Sequence, residues 1–242
     1  MKSFISPLAA ALLSACSVTS PVPNAEVGVR PEPSAILFIG NSYSFDVPKQ
    51  LLEIAEQHKK KLRVGQITRG GWTLAQHVKS GDAVRQIREG KWDVVVIQEQ
   101  SRIPALSSRR SREMFPNVRR LADEARAAGA VPVLYQTWGR RDGDSYLVWG
   151  DDFHSMNRRV REGYRQAAIA AGGLMVVPVG DAWEREVDAG RGDSLFMPDG
   201  SHPTRHAERL TAEVFFKTLF PNAATTSVLL TKEAHQPLHN AQ

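Results

Sequence analysis

Five short apolar runs alternate along the chain with longer segments of helical periodicity, and this alternation constrains the fold more than any other feature. The runs cover residues 35–39, 62–67, 93–97, 130–135 and 174–179. Apolar residues recur every three or four positions in 48–60, 73–89, 107–128, 151–171 and 203–219. Such strand-helix alternation implies parallel strands with helices on both faces of the sheet. We therefore predict an α/β domain with a central parallel sheet of about five strands.

The size and charge of the chain fit one such domain. It has 242 residues and a formal charge of +5, with arginines clustered in 107–120 and 157–165. Both clusters fall in predicted helices with interleaved apolar positions. We interpret them as solvated outer faces, with contact to anionic lipid or polysaccharide as the alternative. The sequence shows no basic groove with interleaved aromatic residues, so we predict no nucleic acid partner. We also expect the protein to be a monomer.

The N-terminal segment has the pattern of an export signal. Lys2 precedes an apolar region over 4–13, and Leu13-Ser14-Ala15-Cys16 follows. This segment resembles a bacterial lipobox, which implies a signal peptide over 1–15 and lipid on Cys16. The alternative is an ordinary secretory signal cut near Ala15 or beyond. Both interpretations predict an exported protein.

The remaining organisation follows from composition. Residues 16–34 are rich in proline and poor in periodic hydrophobicity, so we predict an extended tether between a lipid anchor and the domain. The domain is expected over 35–221, followed by an unassigned tail over 222–242. Lipid on Cys16 would place the protein at the bacterial cell envelope, on the periplasmic or surface side. Cys16 is the only cysteine, so no disulfide within the chain is expected.

Polar residues cluster where predicted strands end. They are 40–42 after the first strand, 69–72 after the second, 98–101 after the third, and 199–202 before the last helix. Open parallel sheets bind ligands at the carboxyl ends of their strands. We therefore expect these four segments to meet at one edge of the sheet.

The side chains in these segments suit nucleophilic catalysis. Ser42 is a candidate nucleophile, His202 a candidate base, and Asp199 a carboxylate that could orient the imidazole. A serine that only bonds within its own turn is the simpler alternative for Ser42. An oxyanion would need donors fixed in advance, and the backbone N–H groups of Ser42 and Gly71 are candidates.

A side-chain amide could supply the third donor. Gln100 is the preferred candidate, and Gln98 is the alternative because alternate residues of a strand point to the same side.

The ordered segments resemble those of the SGNH (GDSL-like) hydrolases over roughly residues 35–220. The segments that carry the resemblance read "FIGNSYS", "GGWTLAQH", "WDVVVIQEQS", "YQTWGR" and "DGSHPTRHA". They are most similar to a bacterial branch with GNS in place of GDS, since Asn41 stands where aspartate is usual. The resemblance implies a flavodoxin-like three-layer sandwich and ester hydrolysis by a Ser-His-Asp triad, without cofactor or metal. It departs from the family in the third segment, where Gln100 falls on an asparagine position.

Two other segments match the familiar letters GDS but lack the context. They lie at 143–146 and 192–195, in polar, turn-like chain that follows no predicted strand. His202 and His206 have the spacing of helical zinc ligands, yet neither the HExxH arrangement nor a cysteine pair is present. We therefore predict no metal site.

The predicted rim of the site includes aromatic residues. Trp138 is the preferred candidate for stacking on a sugar ring, with Arg140 as a neighbouring substrate contact. Trp72 and Trp149 are weaker candidates of the same kind. The sequence thus predicts a serine esterase that removes O-acyl groups, chiefly O-acetyl, from a carbohydrate or small-molecule ester. The alternative is a non-catalytic glycan-binding lipoprotein on the same fold.

Overall fold

The computed structural model describes residues 32–144, 146 and 148–223. The predicted signal peptide, Cys16, most of the tether and nearly all of the tail lie outside these residues. Within the described part, none of the helices combines the length and the apolar character needed to cross a lipid bilayer.

The core is a sheet of five parallel strands, which confirms the predicted fold class. The strands are β1 (Ala35–Gly40), β2 (Arg63–Thr68), β3 (Val94–Ile97), β4 (Val131–Tyr135) and β5 (Met175–Val177). Their order across the sheet is β2-β1-β3-β4-β5. Every residue of β1 and β3 is buried, because these two strands are covered on both faces.

The strand order reverses between β1 and β3. The chain leaves β1 toward β2 on one side and returns to place β3 on the other. Connections that diverge in this way leave a crevice at the carboxyl ends of the two strands. The residues that follow β1 and β3 therefore border that crevice.

Eight helices connect and cover the strands within the described residues. They are α1 (Val47–Gln57), α2 (Leu74–Ser80), α3 (Asp82–Glu89), α4 (Ser107–Arg109), α5 (Phe115–Ala127), α6 (Phe153–Ala170), α7 (Val179–Asp188) and α8 (Arg205–Leu219). One apolar layer includes buried residues of α2, α3, α5 and α6. The opposite layer includes buried residues of α1, α7 and α8. The result is the predicted three-layer sandwich.

The helix boundaries differ from the periodic segments in three places. The segment 73–89 forms two helices, because Gly81 adopts φ +78° and ends α2. The segment 107–128 is broken by a π turn at Arg110–Met114 between α4 and α5. The helix α7 was not predicted, and Asp181 lies in its first turn.

Candidate active site

Ser42 stands directly beyond β1, at the start of a 3₁₀ turn over Ser42–Ser44. Asn41 caps this turn, since its Oδ1 accepts a hydrogen bond from the Tyr43 backbone N–H at 3.2 Å. The amide of the same Asn41 donates to the Trp72 carbonyl at 3.1 Å. Because Asn41 holds the turn, the Ser42 hydroxyl is available for another partner.

That partner is His202, whose Nε2 lies 2.8 Å from Ser42 Oγ. On the other side of the ring, Nδ1 is hydrogen-bonded to Asp199 Oδ2. An ionised carboxylate only accepts hydrogen bonds, so Nδ1 carries the proton. In the neutral ring Nε2 is then an acceptor, and the Ser42 hydroxyl donates to it. The structure thus brings together the three residues predicted as a triad.

The turn that carries Asp199 and His202 is held by hydrogen bonds between its own backbone and the Asp199 side chain. Asp199 Oδ1 accepts from the backbone N–H groups of Ser201 and His202, each at 2.9 Å. Gly200 adopts φ +65°, a conformation that favours glycine. Burial raises the pKa of Asp199, but the hydrogen bonds from His202 and Ser201 outweigh it and lower that pKa to about 2. Asp199 is therefore an anion at neutral pH.

A stack of three aromatic rings supports the turn from the core. Trp138 lies between Tyr43, at a centroid distance of 4.5 Å, and Trp183, at 3.8 Å. Its indole N–H donates to the Ser201 carbonyl at 3.0 Å. Tyr43 also shares a hydrogen bond with the Ser201 hydroxyl. The predicted role of Trp138 as a surface that stacks on sugar is wrong, because the residue is 0% exposed and both ring faces are covered.

The two candidate amides after β3 have different environments. Gln98 is fully buried, and its Oε1 accepts from the Asn41 N–H at 2.8 Å and the Ser44 hydroxyl at 3.0 Å. Its Nε2 donates to Asn41 Oδ1 at 3.1 Å and to the Glu99 carbonyl at 2.6 Å. Both amide hydrogens of Gln98 are used within the protein, so it has none left for an oxyanion.

Gln100 is partly exposed and remains the candidate third donor. Its Oε1 accepts from the Arg102 backbone N–H at 2.9 Å, which fixes the direction of the amide. Its Nε2 makes only a long contact of 3.5 Å to the Ser101 hydroxyl. Gly71, the other predicted donor, is exposed on the loop after β2 with φ +70°. Ser42, Gly71 and Gln100 therefore lie on three loops at one edge of the sheet.

The structure adds His77 to the residues that shape the site. His77 is fully buried in α2, and its Nε2 donates to the Gly40 carbonyl at 2.7 Å. Burial lowers the pKa of this imidazole, so the ring is neutral. It also packs edge-on against Trp72. His77 thus holds the end of β1, two residues before Ser42.

Glu99 is a second buried polar residue without a predicted role. Its side chain is 0% exposed, and Oε1 accepts from the backbone N–H groups of Leu74 and Gln100. Burial outweighs these hydrogen bonds and raises the pKa of Glu99 to about 7. Asp199 and Glu99 therefore have pKa values displaced in opposite directions at the same edge of the sheet.

Arg140 lies in the loop after β4, beside the turn that carries Asp199 and His202. Its guanidinium donates to the Ser101 hydroxyl at 3.3 Å. The next residue, Arg141, donates its backbone N–H to the Gly200 carbonyl at 2.8 Å. Within the described residues, no carboxylate forms an ion pair with Arg140, whereas Arg102 and Arg159 pair with aspartates.

The serine of the second GDS segment has a different hydrogen-bond partner from Ser42. Its Ser194 belongs to a 3₁₀ turn over Gly192–Ser194, and the hydroxyl donates to the Arg191 carbonyl at 2.8 Å. The serine of the first such segment, Ser145, lies outside the described residues.

Comparisons with known proteins identify relatives of this architecture. A protein from Slackia heliotrinireducens assigned to the SGNH hydrolases is 33% identical, with a TM-score of 0.64, and the match covers 76% of this chain and 98% of that one. A DUF4886 family protein from Bacteroides uniformis is 20% identical over 77% of this chain and 83% of its own, with a TM-score of 0.68. An acetylxylan esterase from Geobacillus stearothermophilus is 16% identical over 77% and 94%, with a TM-score of 0.59. No protein-family model and no curated protein matches the chain.

The buried carboxyl of Glu99 predicts a distinctive dependence of stability on pH. The unfolded chain releases this proton near pH 4.5, whereas the folded protein keeps it until about pH 7. The free energy of unfolding therefore falls between these values, and the loss is complete above the folded pKa. We expect the free energy of unfolding of Glu99→Gln, measured relative to that of wild type, to rise by about 2–3 kcal/mol from pH 5 to pH 8.

Urea denaturation of both proteins at the two pH values measures this difference. Glu113→Gln is the control, because the pKa of Glu113 is lowered by its hydrogen bond to Arg109 and should give no such gain. If the free energies of unfolding of Glu99→Gln and wild type differed by the same amount at both pH values, the raised pKa of Glu99 would be contradicted.

Proposed function

The chain belongs to the SGNH hydrolase family, and from that membership we propose that it is an esterase that removes O-acyl groups, chiefly O-acetyl, from carbohydrate. The observation that carries the proposal is the hydrogen-bonded series Ser42–His202–Asp199, with Ser42 Oγ 2.8 Å from His202 Nε2. Nucleophile, base and orienting carboxylate are the three parts that acyl transfer through serine requires.

In the proposed mechanism, Ser42 Oγ attacks the ester carbonyl as its proton passes to His202 Nε2. The resulting imidazolium is stabilised by Asp199, which remains an anion because of its low pKa. His202 then gives the proton to the departing alcohol oxygen, and the C–O bond to that oxygen breaks. Water then attacks the acyl carbon as His202 Nε2 takes one of its protons. The bond between the acyl carbon and Ser42 Oγ breaks, His202 returns the proton to Ser42 Oγ, and the carboxylic acid leaves.

Negative charge develops on the carbonyl oxygen during both steps. We propose that the backbone N–H groups of Ser42 and Gly71 and the side-chain amide of Gln100 hold this oxygen. Donors of this kind contribute most when they are in place before the charge develops. The hydrogen bond from the Arg102 N–H to Gln100 Oε1 supports such pre-organisation, since it restrains the side-chain amide, whose Nε2 makes only a long contact of 3.5 Å to the Ser101 hydroxyl.

The substrate proposal rests on the loop between β4 and α6. Trp149 is 98% exposed in this loop, and Tyr146 is 88% exposed. An ion pair between Arg102 and Asp144, at 2.7 Å, joins the base of the loop to the segment after β3. Flat aromatic faces contact sugar rings well. We assign the stacking role to Trp149 in place of Trp138, with Arg140 as a polar contact to the same substrate.

The cellular location is proposed from the N-terminal sequence. The lipobox-like segment that ends at Cys16 supports export and attachment of lipid to this cysteine. The proline-rich segment up to residue 34 would then hold the domain away from the membrane surface. An enzyme held at the cell envelope would meet acylated polysaccharides there.

Hydrolysis of p-nitrophenyl acetate tests the catalytic proposal. We expect Ser42→Ala and His202→Ala to lower kcat/KM by at least about 10³-fold, and Asp199→Asn by about 10²-fold or more, because each removes one member of a unit. Ser194→Ala, in the second GDS segment, is the matched control and should retain wild-type activity. A wild-type protein that neither turns over ester nor reacts with a serine-directed phosphonate would favour the glycan-binding alternative.

The proposed substrate contacts predict that substitutions in this loop affect KM for a polymeric substrate more than KM for a small ester. We expect Trp149→Ala and Arg140→Gln to raise KM for acetylated xylan several-fold, while KM for p-nitrophenyl acetate changes by less than about twofold. Loss of a hydrogen bond to a charged group corresponds to about 1.5–3 kcal/mol, which sets the upper range for Arg140. Arg158→Gln, an exposed change on α6 with the same loss of charge, should leave both values unchanged. Equal effects on both substrates would argue against this loop as a carbohydrate contact.

Incorporation of labelled palmitate in cells tests the anchor. Full-length protein should carry the label and sediment with membranes, whereas Cys16→Ser should carry none. An exported wild-type protein without label would instead support an ordinary secretory signal cut near Ala15.

A further inference from the structure

One side chain joins two of the three loops that carry the proposed oxyanion donors. Glu99 Oε1 accepts from the Leu74 N–H at 3.1 Å and from the Gln100 N–H at 2.7 Å. Leu74 is the first residue of α2 and follows Gly71 by three positions. Gln100 belongs to the separate loop after β3. A single carboxylate oxygen thus sets the distance between these two segments of backbone.

The loop that contains Gly71 is held from both ends. Its Trp72 carbonyl accepts from the Asn41 amide at 3.1 Å, which ties it to the loop of the nucleophile. Glu99 supplies the second attachment through Leu74. These two contacts together determine where Gly71 lies relative to Ser42.

The backbone of Glu99 is fixed as firmly as its side chain. Its N–H donates to the Tyr164 hydroxyl at 3.1 Å, and its carbonyl accepts from Gln98 Nε2 at 2.6 Å. Gln98 in turn bonds to Asn41. The contacts of Glu99 therefore extend to all three loops that carry the proposed donors.

Burial of the Glu99 carboxyl group costs free energy that a residue with only a packing role would not need to lose. The side chain is completely buried, and Oε2 has no hydrogen-bond partner within the described part of the chain. The charged groups that influence it are Glu113, which opposes ionisation, and Arg109, which favours it. An apolar side chain of the same length would fill this space without placing a carboxyl in the core.

We propose that Glu99 is a positioning residue for ester hydrolysis, whose carboxyl oxygen fixes the loops of Gly71 and Gln100 in register with Ser42. The inference rests on the proposed function. Oxyanion donors act only when they lie about 3 Å from the charge that develops, and displacement by 1 Å can cost about 10²-fold in rate. Glu99 would thus act through these donors without contacting the substrate.

Substitutions of matched length test this role. Glu99→Gln retains an acceptor oxygen for both N–H groups, whereas Glu99→Met has the same length without one. We expect Glu99→Met to lower kcat for p-nitrophenyl acetate at least about 10-fold with KM changed less than about twofold, because the donors act in the transition state. Glu99→Gln should restore kcat to within about threefold of wild type.

Glu99→Asp provides a second test that does not depend on an apolar replacement folding. It keeps the carboxylate but is one methylene shorter, so it cannot reach both N–H groups, and kcat should again fall several-fold at constant KM. Glu113→Gln is the control for loss of a nearby negative charge and should keep wild-type kcat. Circular dichroism identifies the variants that are folded.

The outcomes separate this inference from the proposed function. A folded Glu99→Met or Glu99→Asp protein with wild-type kcat would overturn the positioning role, as would a Gln variant no more active than a folded Met variant. Failure of the proposed function would appear instead as a wild-type protein without Ser42-dependent turnover.

Discussion

The close approach of Gln98 to Gly40 is the contact on which the site depends. A Cβ atom at position 40 would lie 2.3 Å from Gln98 Oε1, so glycine at this position leaves the space that the Gln98 side-chain amide occupies. The contact lies at the point where strand order reverses between β1 and β3. From there the Gln98 amide bonds to Asn41, and Asn41 caps the turn that presents Ser42. The position of Ser42 is therefore set by the centre of the sheet.

Two carboxyl groups at this edge show how environment divides their roles. Asp199 is half exposed, and hydrogen bonds keep it ionised, as a partner of His202 must be. Glu99 is buried, and desolvation favours its neutral form. The first group can stabilise a charge that appears on the imidazole during reaction. The second is suited to hold backbone N–H groups in a region that water does not reach.

The aromatic stack connects the site to the core in a different way. Trp183 belongs to α7, Trp138 to the loop after β4, and Tyr43 to the turn that begins at Ser42. Each ring covers its neighbour, and the indole of Trp138 holds the Ser201 carbonyl beside His202. Large rings pack rigidly, so the turn that bears His202 rests on a rigid part of the core.

The sequence by itself determined the five strands and their alternation with helical segments, although not α7, because periods of two and of three to four residues are local properties of the chain. It also identified Ser42, Asp199 and His202 as candidates, since parallel strands bring their carboxyl ends to one edge. Only the tertiary structure distinguished Gln98 from Gln100, because both amide hydrogens of Gln98 are bonded within the protein, whereas Gln100 Nε2 makes one long contact. It likewise placed Trp138 in the core, since the rings that cover it come from positions 43 and 183, and such distant contacts leave no local pattern.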